Sequence, residues 1–278
     1  MHPFDLDLAF IMKNPSHLTV NISESWSIND VPNGGYLMAI LANAMLQQSE
    51  KNLTPIITAY FISRCFPGKA DLSIEKIASS KQFVRFQASV NQEGNERIRA
   101  FGTFADKNVN CSINRYEADA PKLAPLEKCV EIPFFPKYSL FRHMDVRLDP
   151  GCAGWMDGHL VNESTNKGWI RFRDARHYDA PAIMLIADSF PPAVFASQGM
   201  VAWVPTLEFS ISIRNRPASE WLQCIFRTRF ITCGLLEEDG EIWDENGALI
   251  AISRQIAQYR PNLVGGDHPP TEHFVLVR

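Results

Sequence analysis

The chain has 278 residues, 46% of them hydrophobic, which is enough apolar side chain for one large core or two smaller ones. Its net charge of -4 gives no general attraction to nucleic acid or to anionic membranes. Apolar runs stay far below the roughly 20 residues of a membrane span. The start, MHPFDLDLAF, lacks the positive charge of a signal peptide. We therefore expect a soluble, cytoplasmic protein that binds neither nucleic acid nor membrane.

Metal and nucleotide sites have no support in the sequence. The six cysteines are scattered without a CxxC spacing, and the seven histidines form no HExxH arrangement. No glycine-rich phosphate loop is present. These patterns predict free thiols, no metal and no cofactor.

The first half begins with a strand-like segment at residues 17–28, followed by VPNGGYLMAILANAMLQQSEK at residues 31–51. The Asn-Gly-Gly sequence predicts a turn. The Ala, Leu and Met after it favour a helix that is apolar on every side and therefore buried. A strand segment, YFISRCFPGKADL at residues 60–72, comes next. Two alternating segments then flank NQEGNE, whose Asn and Gly favour a hairpin turn.

The second half repeats this plan. Residues 107–148 contain four prolines and little periodicity, and we predict a linker there. Strand-like pieces follow, GWMDGHLV and GWIRFRD. A helix is predicted in HYDAPAIMLIADSFPP, residues 177–192, with Asp179 as N-cap and Pro181 in the first turn. Two alternating segments split by DENG complete the half.

The two halves show a weak internal repeat. SISIRNRPASEWL in the second half matches YFISRCFPGKADL in the first, so that Arg64 corresponds to Arg214 and Pro67 to Pro217. One buried helix followed by an antiparallel meander, present twice, predicts a sheet wrapped around a helix in each half. The alternative is two unrelated α+β domains with matching spacings by chance.

Several motifs together resemble a known family. They are PNGGY, FISRCFPG, WIRFRD, ADSFPPAVF, WVPTLEFSISIRNRP, LLEEDGEIWDENG and SRQIA. Nearly the whole chain is similar to the double-hotdog acyl-CoA thioesterases of the type II group. The resemblance implies an α+β fold of two tandem hotdogs, each a long central helix wrapped by a curved antiparallel sheet, which form a pseudo-dimer. The expected boundaries are an N-terminal hotdog at 1–106, a linker at 107–148 and a C-terminal hotdog carrying the acid at 149–278.

The same resemblance implies an activity and partners. We expect an acyl-CoA thioester hydrolase that releases a free carboxylic acid and CoA without a cofactor. The partner is then the acyl-CoA substrate, and a homo-oligomer, a dimer or larger, is expected. The tail at residues 262–278 lies past the last predicted strand, and no role is assigned to it.

One aspartate, Asp188, lies inside the apolar run PAIMLIADSFPPAVF. An ionised carboxylate is unfavourable there without a partner, so Asp188 either makes a structural bond or does chemistry. The structural alternative is an N-cap for the turn SFPPAVF. The resemblance instead assigns a catalytic set of Asp188, Thr206 and Gln255 that jointly holds the attacking water. Direct attack by the carboxylate through an anhydride uses the same residues and stays open.

Substrate-binding residues are expected in both halves. Gly34 and Gly35 open a helix and expose N–H groups that favour an oxyanion, although a tight turn for close packing is the alternative. Single-hotdog thioesterases commonly carry His-Gly-Gly at such a turn, and Asn33 replaces the His here. Tyr36 is a candidate for the wall of an acyl tunnel, although plain core packing is the alternative.

Arg171 and Arg173 lie on one face of a predicted strand. Their guanidinium groups suit the phosphates of coenzyme A, and a solvated basic edge is the alternative explanation. We expect them to contribute to substrate binding.

Two rival functions compete with thioester hydrolysis. Hotdog hydratases and dehydratases use an Asp followed five residues later by a His, and no histidine here has an Asp at that position. A non-catalytic acyl-CoA-binding module is the other alternative. A pure binder has no need of an acid in apolar surroundings beside its ligand, so the Asp, Thr and Gln set favours the enzyme.

Overall fold

The computed structural model of the chain describes residues 1–106, 113 and 115–261. The predicted tail segment and part of the predicted linker lie outside these residues. The α-helices are α1 (Pro3–Asp7), α2 (Gly34–Gln48), α3 (Leu140–His143), α4 (Pro150–Ala153), α5 (Ala180–Ile186) and α6 (Phe195–Gln198). None of the helices in the described ranges is long and apolar enough to cross a membrane.

Strands make up most of the remaining regular structure. The first half contains β1 (Phe10–Asn14), β2 (His17–Ile22), β3 (Ser27–Ile28), β4 (Val31–Pro32), β5 (Leu53–Phe61), β6 (Gly68–Ser79), β7 (Phe83–Gln92) and β8 (Asn95–Ala105). The later part contains β9 (Val130–Glu131), β10 (Met144–Leu148), β11 (Ser164–Phe172), β12 (Ala202–Trp203), β13 (Thr206–Ile213), β14 (Leu222–Thr228), β15 (Ile231–Thr232), β16 (Leu235–Asp244), β17 (Leu249–Gln258) and β18 (Arg260–Pro261).

One antiparallel sheet runs through both halves in the order β1-β2-β6-β7-β8-β5-β13-β17-β16-β14-β11-β10-β9. The halves meet where β5 pairs with β13, with Tyr60 opposite Glu208 and Ile56 opposite Ser212. Side chains alternate across this junction, because Ile57 is fully buried while its neighbour Ile56 is exposed. The predicted antiparallel meanders are therefore confirmed, and they join into a single continuous sheet.

The inner face of this sheet packs on α2 and α5. The α2 helix begins after Asn33, whose Oδ1 accepts a hydrogen bond from the Tyr36 N–H at 3.0 Å. Its residues from Gly35 to Ala42 are buried, as predicted for a helix that is apolar all round. The α5 helix begins after Asp179, whose carboxylate accepts from the Ala182 N–H at 2.9 Å, so the predicted N-cap is confirmed.

The second-half helix is shorter than the long central helix that the sequence predicted. It ends at Ile186. The residues that follow form a tighter turn, in which the Asp188 N–H donates to Leu185 O and the Ser189 N–H donates to Ile186 O. The two prolines of SFPP lack the N–H groups that would continue a helix. Asp188 consequently lies just beyond the helix end, at the start of an irregular segment.

Two further differences concern strands. The strand predicted in GWMDGHLV is wrong, because residues Gly154–Asp157 form a 3-10 turn that Gly158 closes with a φ of 78°. Within the region predicted as linker, β9 and β10 extend the sheet. In β10, Met144 lies opposite Phe172 of β11, and the buried Met144, Val146 and Leu148 alternate along the strand.

The α2 and α5 helices approach each other closely at Gly35. A Cβ atom at this position would lie 2.5 Å from the Met184 carbonyl oxygen and 2.8 Å from Asp188 Cβ. The carbonyl is backbone and cannot rotate away, so only glycine fits here without moving one helix. The two halves therefore meet through backbone contact at the helix layer as well as through the sheet.

We expect Gly35→Ala to lower the free energy of unfolding by about 1–3 kcal/mol, because the added methyl group pushes α2 from α5. Urea denaturation measures the change. Gly151→Ala is a suitable control, since its Cβ would meet only a side-chain oxygen of Asp149, at 3.1 Å. If Gly35→Ala unfolds at the wild-type urea concentration, the close approach is not required.

Candidate active site

The carboxylate of Asp188 is held by the start of α2 from the other half. Its Oδ2 accepts hydrogen bonds from Asn33 Nδ2 and from the Gly35 N–H, both at 2.9 Å. Asn33 Nδ2 also donates to the Asp188 carbonyl oxygen at 2.7 Å. The N–H groups at a helix start are unpaired within the helix and favour negative charge. The first half therefore supplies the donors and the second half supplies the acid.

The surroundings of Asp188 favour its protonated form. Burial raises the pKa of this carboxyl to about 6, against the opposite effect of the bonds from Gly35, Gly34 and Asn33. The Asn33 amide and the Gly35 N–H both donate to Oδ2, and the Gly34 N–H also bonds this carboxylate. These contacts differ from the N-cap alternative, in which the turn SFPPAVF would supply the donors. The arrangement suits a base that works near neutral pH.

Thr206 and Gln255 are brought together on neighbouring strands. Gln255 Nε2 donates a hydrogen bond to Thr206 Oγ1. Thr206 lies opposite Ala257, and Gln255 lies opposite Phe209, with a register shift between Thr206 and Glu208. Because this shift inserts one extra residue, Thr206 projects from the same face as Gln255 instead of the opposite one. The predicted pair thus shares the inner face of the sheet.

A further carboxyl, Glu238, was not predicted for this site. It lies on β16, directly opposite Gln255 on β17. Its Oε2 accepts from the Ala193 N–H at 2.6 Å. Burial raises the pKa of Glu238 to about 7, and the negative charge of Asp188 adds to the rise. The sequence could have indicated this residue. In LLEEDGEIW, side chains alternate between the two faces of a strand, so Glu238 lies on the same side as the buried Leu236.

Two of the predicted substrate contacts do not fit the structure. The Gly35 N–H donates to Asp188, so it holds the acid and is not free for an oxyanion. Tyr36 is fully buried, and its hydroxyl donates to Asp7 O at 3.0 Å and accepts from the Ser23 N–H at 3.1 Å. Tyr36 is therefore a core residue. Its hydrogen bonds tie α2 to the N-terminal segments, which leaves no side-chain atom for substrate.

Gly34 also lies against the acid. A Cβ atom on Gly34 would be 3.0 Å from Asp188 Oδ2 and 3.2 Å from the ring of Phe61. The absence of a side chain at Gly34 thus keeps the space beside the carboxylate open.

The two predicted phosphate-binding arginines lie on or just after β11, which β14 separates from β16. Arg171 forms an ion pair with Glu220. Arg173 forms an ion pair with Glu131 at 2.7 Å. Both guanidinium groups therefore have carboxylate partners, and neither has a recorded contact with Asp188, Thr206 or Gln255 in the described residues. Their role on coenzyme A stays a prediction.

Comparison with family models identifies both halves. Residues 22–105 match the acyl-CoA thioesterase N-terminal domain, and residues 126–259 match the acyl-CoA thioesterase C-terminal domain. The chain belongs to the acyl-CoA thioesterase family. The predicted family and enzyme class are thereby confirmed. A comparison with curated proteins finds no match.

Solved structures show the same fold at low sequence identity. A proposed thioesterase II from Thermobifida fusca has a TM-score of 0.85 at 23% identity, covering 93% of this chain and 98% of that one. A hot dog fold protein from Alicyclobacillus acidocaldarius has a TM-score of 0.85 at 18% identity, covering 95% and 100%. An acyl-CoA thioesterase II from Mycobacterium marinum has a TM-score of 0.73 at 16% identity, covering 93% and 98%. The predicted hotdog fold is confirmed.

The raised pKa of Asp188 predicts a pH-dependent stability. An unfolded Asp carboxyl has a pKa near 3.9, so the folded state binds the proton more tightly, and the free energy of unfolding falls as pH rises from about 4 to about 6. Asp188→Asn has no such proton. We expect this variant to gain on the order of 2 kcal/mol relative to wild type across that range. Urea denaturation at both ends of the range measures it, and a constant difference would contradict the raised pKa.

Proposed function

We propose that the protein hydrolyses acyl-CoA thioesters to a carboxylic acid and CoA, with Asp188, Thr206 and Gln255 acting on one water molecule. The observation that carries this proposal is the Asp188 carboxylate, held at the start of α2 with a pKa of about 6, in a chain of the acyl-CoA thioesterase family. Such a carboxylate is ionised at neutral pH and still has a useful affinity for a proton.

The reaction needs a water that is both oriented and deprotonated. Asp188 accepts one water proton while the water oxygen attacks the thioester carbonyl carbon. The carbon–sulfur bond then breaks, and its electron pair leaves with the sulfur of CoA. The proton held by Asp188 returns to solvent or to the departing thiolate, which restores the carboxylate for the next turnover.

Thr206 and Gln255 are proposed to hold the water. A hydroxyl and a side-chain amide each donate and accept hydrogen bonds. The pair can therefore bind a water and orient its oxygen toward the thioester carbonyl carbon. Their mutual hydrogen bond limits the rotation of both side chains, which supports a fixed water position. In the anhydride route Asp188 attacks the thioester itself. In ¹⁸O-labelled water, label found in Asp188 would identify an anhydride that water opens at the aspartyl carbon, because the general-base route places the label in the released carboxylic acid.

The proposed site is composite and occurs once per chain. Residues 1–106 act as the N-terminal hotdog and supply Asn33 and the start of α2, and residues 149–278 act as the C-terminal hotdog and supply the acid. The connection at 107–148 links the two, and its strands β9 and β10 extend the sheet of the second. We further propose that acyl-CoA is bound without a cofactor and that the chain works as a homo-oligomer, a dimer or larger.

We expect Asp188→Asn to reduce kcat at least about a hundredfold while acyl-CoA binding remains, because the variant keeps the shape of the side chain but cannot take a proton. A free-thiol assay over acetyl-, octanoyl- and palmitoyl-CoA measures turnover and also sets the chain-length preference. Calorimetry measures binding. The mechanism is wrong if the variant turns over at the wild-type rate. A wild-type protein that binds acyl-CoA without hydrolysis would be a binding module.

Thr206→Val tests the water-holding pair. Valine fills the same volume without a hydroxyl, so we expect kcat to fall about ten- to a hundredfold with little change in KM. The matched control is Thr58→Val, since Thr58 bonds Ser210 at 2.9 Å on the outer face of the sheet. Equal kinetics for both valine variants would remove Thr206 from the mechanism.

A further inference from the structure

Glu238 lies next to the proposed catalytic set, and the proposed mechanism does not use it. In the pairing of β16 with β17 it is directly opposite Gln255. Directly opposed residues project from the same face of a sheet, with their Cβ atoms about 4.5–5.5 Å apart. Glu238 therefore shares the inner face with Gln255 and with its partner Thr206.

The carboxyl of Glu238 also binds the segment that carries Asp188. The Ala193 N–H donates to Glu238 Oε2 at 2.6 Å, and Ala193 follows Asp188 in the same irregular segment. On the other side Asn166 Nδ2 holds the carbonyl oxygens of Pro191 and Pro192, each at 3.1 Å. Side chains from β16 and β11 therefore hold the backbone between Asp188 and α6. This sets the position of the Asp188 carboxyl relative to that of Glu238.

The two carboxyls share surroundings with little to neutralise them. The groups that face Asp188 are the amide of Asn33 and the α2 N–H groups, and those on the side of Glu238 are the Ala193 N–H and Gln255 with its partner Thr206; all are neutral. Over the residues that the structure describes, no other charged side chain contributes to the pKa shift of either carboxyl. Burial raises the pKa of Asp188 to about 6, and burial together with the Asp188 charge raises that of Glu238 to about 7. Glu238 therefore keeps its proton after Asp188 has lost its own.

We propose that Glu238 is a positioning residue that must keep its proton during turnover, so that Asp188 is the only negative charge of the site when the thioester is attacked. This inference rests on the proposed thioesterase function. Attack by water places negative charge on the carbonyl oxygen, and bond cleavage then places it on sulfur. A second ionised carboxyl in weakly polar surroundings opposes both charges. Loss of the Glu238 proton consequently slows the reaction as pH rises.

The pH profile of kcat/KM tests this role. From about pH 5 to about pH 9, wild type is expected to fall about tenfold per pH unit above about pH 7. Glu238→Gln keeps an acceptor for the Ala193 N–H but cannot ionise, so its activity should stay level there. The acid limb, set by Asp188, should remain in both proteins.

Glu237→Gln is the matched control. Glu237 lies on the opposite face of β16, where its carboxylate accepts from the N–H groups of Arg229 and Phe230, so this variant should follow the wild-type profile. An active wild type whose alkaline fall is absent, or is unchanged in Glu238→Gln, overturns the inference and leaves the proposed function intact. A wild type that hydrolyses no acyl-CoA overturns the proposed function, and the inference with it.

A second measurement needs neither turnover nor the Glu238 variant. Carbon NMR of protein labelled at the glutamate carboxyl carbons follows the titration of Glu238 in wild type and in Asp188→Asn. Removal of the Asp188 charge should shift the Glu238 midpoint to lower pH, because the neighbouring negative charge no longer favours the protonated form. An identical midpoint in the two proteins would show that the two groups are not coupled and would overturn the inference.

Discussion

The hydrogen bonds between the start of α2 and the carboxylate of Asp188 are the interaction on which the rest of the site depends. They join an acid from one half of the chain to donors from the other. They also offset part of the unfavourable burial of a negative charge. Gly35 makes the contact possible, since any side chain there would collide with the α5 backbone. One close approach therefore fixes the packing of the halves and the position of the acid together.

In the proposed mechanism this arrangement gives the two-part fold a single asymmetric site. The α2 helix contains no carboxylate, and Asn43 in its second half donates to the Leu8 carbonyl oxygen. The proposed catalytic acid comes from the end of α5, where the helix stops at Ile186 and an irregular segment begins. A long uninterrupted α5 would have placed Asp188 within helical backbone. The shortness of the second helix is consequently part of how the acid reaches the donors of the first.

Local pattern was sufficient to predict the helix starts and the meanders, because capping and alternation depend on neighbouring residues. Asp179 before an apolar run and the Asn-Gly-Gly opening are signals of this kind. The position at which α5 ends was harder to predict from the sequence, since it depends on the hydrogen bonds of Asp188 and Ser189 to the preceding turn. The prediction of a strand at GWMDGHLV was wrong because the segment contains glycines, and Gly158 adopts a left-handed conformation that closes a tight turn.

Only some residues of the candidate site could be predicted from the sequence. Asp188, Thr206 and Gln255 came from a resemblance, and alternation alone would have placed Thr206 on the wrong face because the extra residue before Glu208 is not visible in the pattern. Tyr36 was misassigned since proximity to a glycine turn does not reveal that its hydroxyl is already bonded inside the core.

Glu238 is a residue that the sequence pattern could have indicated without any resemblance. A carboxylate on the inward side of an alternating strand conflicts with its apolar neighbours, and such conflicts mark functional positions. The negative charge of Asp188 raises the pKa of Glu238, so the proposed site holds a single charge only while Glu238 stays protonated.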